Sequence, residues 1–430
     1  MYSVQESGQQ IVYRDDTEGQ VITLPRENFA ELITIEDPAM AQMPEALISA
    51  LEKPIGSAPL AELVRGRKKI AIIIPDATRG VPVGQILPHV IELLLGEGID
   101  PAAITIVVAT GVHRGATPEE IEELLGPLPV EIKTINHDAF NREELVTLGT
   151  TKRGTPIEIN KTVYESDFRI AIGKVEPHEF AGFSGGRKAI MPGVSGEPSI
   201  ETNHRPEMIL IPESTAGILE GNPISDDMIE IARMVGLDFI INTVQGATGE
   251  ILQIFAGDME EAHQRAVEYI RAFCQIDLQH KADIVVTTPG KPLNIDLYQS
   301  LKAVIALEHV IAPGGTIVLY SACPDGLGTT DMFKPYEGAK TIDDVITNLK
   351  ASYKIQMDHS LLVCKVLAHG IHVIAHSPRV PAEKFAAIMF ESASSPQEAL
   401  EKALARKKDA KVLFYPQPQR TLPNVLAIDK

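Results

Sequence analysis

The chain has no tryptophan, and aromatic residues make up only 5% of its 430 residues. A surface that stacks nucleobases in series is not expected from such a composition. Cations are also in deficit: 39 Lys and Arg stand against 58 Asp and Glu, a formal net charge of −19. That balance serves solubility and argues against a nucleic-acid surface, which needs a basic patch. The three cysteines, Cys274, Cys323 and Cys364, are too few and too far apart for a disulfide framework or a Cys-x-x-Cys metal site. A reducing cytoplasm is the expected compartment. No apolar run approaches the length of a membrane span. The first residues, Met1 to Ser7, lack the basic and apolar stretches of a signal peptide. Internal repeats and low-complexity tracts are missing too.

What is present is an ordinary globular balance, 44% hydrophobic and 23% charged. At this length two domains are expected. Short β-branched runs at 69–75, 104–109, 168–173, 283–288, 315–320 and 370–375 read as buried parallel strands. Helix-period patterns fall between them at 83–96, 118–125, 258–273 and 297–309. Thr117 followed by Pro118 marks a helix start. The expectation is an α/β fold, two domains with mainly parallel sheets and helices on both faces. A second α/β series begins near Ala282, with 274–280 as the hinge and an irregular tail from 417.

Polar motifs follow three of the strands, where open parallel sheets bind ligands. Asp76-Ala77-Thr78-Arg79 follows the first. It reads either as an anion- and ribose-binding loop or as a capped turn with a surface ion pair. His113 follows the second and His178 the third. A lone loop histidine is usually structural, but two at equivalent strand ends suggest two bases facing one bound molecule. Segment 176–193 carries Gly182, Gly185, Gly186 and Gly193 around Lys188. Ala189 after the lysine breaks the phosphate-loop pattern, so a nucleotide triphosphatase is disfavoured. Lys188 is either a covalent attachment point or a surface lysine in a turn. His204 supplies one imidazole, and one imidazole is not a metal site. Tyr298, Gln299 and Lys302 share neighbouring positions on one helix, either an anion clamp or an ordinary polar face. His263, His280, His309, His359, His369, His372 and His376 have no comparable setting and read as structural. Asp325 to Thr329 is a glycine loop to which no role is assigned.

Taken jointly, Asp76, Arg79, His113, His178, Lys188, His204, Tyr298, Gln299 and Lys302 resemble the LarA family. That family comprises nickel-dependent lactate racemases and related 2-hydroxyacid racemases and epimerases. The resemblance runs over about 225 residues in order and approximate spacing. It implies an isomerase that racemises or epimerises C2 of a 2-hydroxy carboxylate by reversible hydride transfer through a 2-keto acid. It implies a nickel-pincer nucleotide, a pyridinium-3-thioamide-5-thiocarboxylic acid mononucleotide, covalently attached to Lys188. His204 would ligate the nickel, with Asp76, Ala77, Thr78 and Arg79 beside the cofactor. His113 and His178 would be the catalytic bases, and Arg79, Tyr298, Gln299 and Lys302 would bind substrate. Cofactor-maturation proteins are implied as partners. The implied domains are a cofactor-binding domain over 1–275, joined by the tail 411–430, and an α/β domain over 281–410. Cofactor and substrate would lie in a cleft between them.

Two other readings compete. One is the same chemistry on a larger acid such as malate, an aromatic lactate or a sugar acid. The other is a carrier for the nickel nucleotide or an organic anion, which would not need both His113 and His178. An NAD-dependent dehydrogenase is disfavoured, because no strand is followed by Gly-x-Gly-x-x-Gly.

Overall fold

Ile70 to Ile74 are five consecutive residues with essentially no exposed surface. Only a strand covered on both faces buries every residue of such a run. Each fully buried isoleucine contributes about 1.5–3 kcal/mol. In the computed structural model, which describes residues 1–426, this strand lies within a six-stranded sheet. The order is Ile251–Gly257, Phe239–Gln245, Phe168–Lys174, Ile70–Pro75, Ile104–Ala109, Lys133–Asn136. All neighbours are parallel except the Ile251–Gly257 edge, which is antiparallel. Ile72 pairs with Ile106 on one side and Ile170 on the other. That register sets the carboxyl ends of the three central strands side by side.

The intervening helices follow from local signals. Leu87–Gly96 buries Leu87, Val90, Ile91 and Leu94, a helix-period stripe. Its expected first turn is a separate 3-10 turn at Val83–Gln85. Pro118–Leu125 begins with a capping box in which Thr117 and Glu120 satisfy each other's backbone amides. Among the described residues, no helix is long and apolar enough to cross a membrane.

This sheet belongs to one compact unit, Asp37–Phe273. The other unit joins Met1–Glu36 to the chain from Cys274 onward. Its six-stranded sheet runs Glu391–Ser392, His372–His376, Ile311–Tyr320, Ala282–Thr287, Val412–Phe414, Phe29–Leu32, all parallel.

The partition differs from the expected 1–275 and 281–410 boundaries at both ends of the chain. Tyr2–Ser7, Gln10–Asp15 and Gln20–Pro25 form an antiparallel sheet whose Ile11, Tyr13, Ile22 and Leu24 share a core with Val318, Tyr320, Val412 and Phe414. The Tyr13 ring stacks on Phe414 at 4.2 Å. The Tyr320 hydroxyl donates to Asp15 at 2.9 Å and lies 2.9 Å from the Tyr13 hydroxyl. The first 36 residues are thus bonded to the second sheet, not to the first. The tail belongs there as well, through Val412–Phe414 and through Leu422–Val425, which pairs with Gln275–Leu278. So the expected hinge at 274–280 and the expected irregular tail each contain a strand, and residues 427–430 of that tail lie outside the described residues.

Candidate active site

Asp76 is the first residue after the Ile70–Pro75 strand and caps the 3-10 turn Ala77–Arg79. Its Oδ1 accepts the Thr78 amide at 2.8 Å and also the Thr78 hydroxyl. Its Oδ2 accepts from Nδ1 of His113 at 2.9 Å. Burial alone would raise the Asp76 pKa. The His113 hydrogen bond and the Arg79 charge, with the Thr78 bond, outweigh it and hold the carboxyl at about 2. An ionised Asp76 can only accept, so His113 carries a proton on Nδ1, and in the neutral ring Nε2 is then bare. Arg79 NH2, which can only donate, lies 3.5 Å from that Nε2. Ala77, Thr78 and Arg79 are exposed and His113 is half-buried.

The third strand end is built differently. Pro177–His178 pairs with Gly182–Phe183 in a tiny hairpin. Ser184 Oγ ties its base by donating to the Lys174 carbonyl at 2.9 Å and accepting the Glu176 amide at 3.0 Å. Gly185 then turns with φ +81°, and a Cβ there would stand 2.7 Å from Val175 Cγ2 and 2.9 Å from the Lys174 carbonyl oxygen. The turn Gly186–Ala189 that follows carries Arg187 and Lys188.

Arg187 is 2% exposed. It donates to the carbonyls of Ala181 and Phe183 at 2.9 and 3.0 Å and to Ser225 Oγ at 3.1 Å, and its guanidinium lies 2.9 Å from Nε2 of His263. Burial lowers its pKa to about 10, which leaves it charged at neutral pH. Burial, then the Arg187 charge, holds His263 down at about 3 against the Ser184 carbonyl, 2.8 Å from its Nε2, so His263 is neutral. Reading His263 as structural therefore agrees with its setting.

Arg187 locks both ends of the hairpin, and Lys188 and His178 meet beside it. Lys188 Nζ lies 3.2 Å from His178 Nε2. Phe180 sets its ring edge-on to both His178 and His204, at centroid distances of 4.6 and 5.0 Å. His204 ends the helix Glu197–Asn203 and is 5% exposed. Burial, then the Lys188 charge, lowers its pKa to about 3 against the opposing pull of Glu179. Its Nδ1 is buried without a hydrogen-bond partner among the described residues. A neutral imidazole with an unsatisfied nitrogen is a ready metal ligand. Among the described residues, no group of three or more His, Cys, Asp or Glu is arranged to hold a metal ion. These residues fit a metal that arrives with most of its own donors, inside an organic group.

The His113 loop and the glycine segment also touch directly: the Gly111 amide donates to the Gly193 carbonyl at 3.0 Å. Gly193 itself is packed so closely that a Cβ would fall 2.2 Å from the Ala189 carbonyl oxygen. The Asp37–Phe273 unit thus brings together Asp76, Ala77, Thr78, Arg79 and His113, and beside them His178, Lys188 and His204.

Tyr298, Gln299 and Lys302 belong to the other unit, on the helix Leu297–Ile305. Tyr298 donates its hydroxyl to Asp358 at 3.1 Å and stacks on His359 at 4.0 Å. His359, read as structural, in fact holds Tyr298, whose carbonyl lies 2.9 Å from His359 Nδ1. Gln299 and Lys302 are half-buried. Sequence reasoning marked Glu179, Phe180 and Arg187 only as neighbours of the motifs that could matter for substrate choice, and it missed Asp358 and the bonding role of Arg187. Phe180 was the most readable, as a large apolar residue two positions after a strand-end histidine in a polar loop.

Comparison with known proteins agrees with this architecture. Residues 16–217 match the lactate racemase N-terminal domain and residues 278–418 the lactate racemase C-terminal domain. The lactate racemase of Thermoanaerobacterium thermosaccharolyticum is 38% identical over 302 residues, 70% of each chain. That of Lactiplantibacillus plantarum is 35% identical over 381 residues, 86% of this chain and 89% of the other. The solved lactate racemase apoprotein from T. thermosaccharolyticum superposes with a TM-score of 0.88 at 31% identity, covering 94% of this chain and 97% of that one. A Thermotoga maritima crystal structure, with a TM-score of 0.65 at 21% identity over 85% of this chain and 96% of that one, shares the fold alone. The chain belongs to the lactate racemase family and is an isomerase.

Proposed function

We propose that this enzyme interconverts the two configurations at C2 of lactate or a lactate-like 2-hydroxy carboxylate through the planar 2-keto acid. The observation that carries this reading is the pair of histidines at the ends of strands flanking Ile70–Pro75, each with Nε2 facing a cationic side chain. A base that takes the hydroxyl proton of one enantiomer must be matched by one that serves the other. His113 and His178 fill those two roles. Arg79 is exposed beside His113 and suits a carboxylate, which a guanidinium grips through two parallel hydrogen bonds. Tyr298, Gln299 and Lys302 are assigned to the substrate by the family resemblance.

Lys188 and His204 are the residues that would hold a nickel-pincer nucleotide, Lys188 through a covalent bond and His204 through its unsatisfied nitrogen. When bound, that group supplies a hydride acceptor, which spares the substrate a carbanion next to its carboxylate. The buried Asp76 and the exposed Ala77, Thr78 and Arg79 would border it. The polypeptide's part is to hold the acid, to take the hydroxyl proton on one histidine and, after the keto acid presents its other face, to supply a proton from the other histidine, which must then be the imidazolium. Maturation proteins that supply the group are then its partners.

The test uses matured enzyme and enantiopure lactate carrying deuterium at C2, in ordinary water. The expected result is inversion with the deuterium retained, because a hydride does not exchange with solvent. Loss of deuterium to water would sink the hydride route. Failure to invert lactate alongside inversion of a larger 2-hydroxy acid would move the substrate assignment.

A further inference from the structure

The two histidines are wired alike, and one member of that wiring has no role so far. His113 has a carboxylate on Nδ1, from Asp76 at 2.9 Å, and a cationic donor at Nε2, from Arg79 at 3.5 Å. His178 has a carboxylate near Nδ1, Glu179 Oε2 at 3.3 Å, and a cationic donor at Nε2, Lys188 Nζ at 3.2 Å. Glu179 is 13% exposed at its side chain and His178 is 18% exposed, so water does little to screen the pair.

The copies differ in one respect. Two backbone amides, of Phe180 at 3.5 Å and Ala181 at 3.4 Å, also point at Nδ1 of His178. An amide can only donate, so these favour a bare Nδ1 and a proton on Nε2. The Lys188 ammonium can only donate as well, and it favours a bare Nε2. Both amide contacts lie at the outer limit of hydrogen-bond length, where the attraction is weak. A carboxylate at Nδ1 acts against the amides, since it needs a proton there.

We infer that Glu179 is a positioning residue: it keeps the proton of neutral His178 on Nδ1 and the bare Nε2 toward the reacting side, as Asp76 does for His113. This rests on the reading of His178 as a base. An acylated Lys188 nitrogen loses its charge but keeps one N–H that can only donate, so it would still favour a bare Nε2 if it faces the ring. The groups against His178 include Glu179, Lys188, the Phe180 ring and the two amides, and the Phe180 ring also contacts His204.

The experiment begins on the apoprotein, labelled with nitrogen-15 in histidine, at a pH where the imidazoles are neutral. Long-range proton–nitrogen spectra report which ring nitrogen carries the proton, and the His178→Asn variant assigns the signal. The expected wild-type result is protonated Nδ1 and bare Nε2 at both His178 and His113. In Glu179→Gln, His178 shifts to the Nε2-protonated form while His113 is unchanged, an internal control for folding. A wild-type His178 protonated on Nε2, or a tautomer indifferent to Glu179→Gln, overturns the inference. In matured enzyme the same variant lowers kcat by at least about 10-fold, toward the roughly 10⁴-fold cost of a wrong tautomer in a serine-protease triad. A reversed tautomer with undiminished racemisation would instead remove His178 from its role as base, a separate failure.

Discussion

His113 and His178 stand at the ends of strands that flank the same central strand, yet their loops are held by opposite means. Around His113 the turn Ala77–Arg79 is exposed, and its anchor is the hydrogen bond between His113 and the buried Asp76 carboxylate. Around His178 the anchor is a buried guanidinium bonded to two carbonyls and a serine, beside a neutral histidine. Burying a charge is costly unless every donor is used. A fold that bears that cost beside Lys188 fixes a geometry before any ligand arrives. The exposed turn is open to small molecules from solvent. The difference divides labour: one loop receives, the other is built in advance.

The sharpest way to break this comparison is covalent. Lys188→Ala is expected to abolish the mass increment of the attached group and all turnover. His113→Ala is expected to keep the increment and to lower turnover by about 10²–10⁴-fold. An increment that persists in Lys188→Ala, read by intact mass, would erase the distinction.

A second test sets the two arginines side by side. Arg187→Met strands the Ala181 and Phe183 carbonyls and Ser225 Oγ and should cost about 3–5 kcal/mol in urea unfolding. Arg79→Met, at an exposed position, should stay within about 0.5 kcal/mol. Equal losses would show that Arg187 is not the anchor described.

Acid separates the loops by smaller amounts and in different pH windows. His204 and His263 are held neutral, with pKa values lowered from 6.5 to about 3. A depressed folded value means their contribution is complete above pH 6.5 and fades as pH falls toward 3. Asp76 is lowered from 3.8 to about 2, so its contribution of about 2 kcal/mol is complete above roughly pH 4 and fades toward pH 2. Stability measured against pH should therefore fall first through the buried loop. Asp76→Asn should narrow its deficit only below pH 4, and a deficit that narrows already at pH 6 contradicts the assignment.

Much of the frame was legible because its signals are local. The strand Ile104–Ala109 is a run of β-branched residues, and the helix Pro118–Leu125 announces itself with Thr117, Pro118 and Glu120. Ile311–Tyr320 was read four residues short, since Pro313 and Gly314 look like a break; Ile311 pairs with Ala282 and Thr316 with Ile284, and the register shifts between those two pairs. Gln275–Leu278 and Leu422–Val425 were missed because each is a strand only by virtue of the other, far away in the chain. The N-terminal sheet could have been found in its alternation of Ile11 and Tyr13, then Ile22 and Leu24.

The order of histidines and lysine, the glycine turns and the strand ends were all determined by the linear chain, because each depends on a residue's own shape and its near neighbours. Which nitrogen each imidazole presents was decided only by the tertiary structure. Asp76 meets His113 from 37 positions away through parallel register, and His263 meets Arg187 from 76. A tautomer belongs to whichever donors and acceptors surround a ring, and those partners come from separate elements that only folding brings within 3 Å or so of one another.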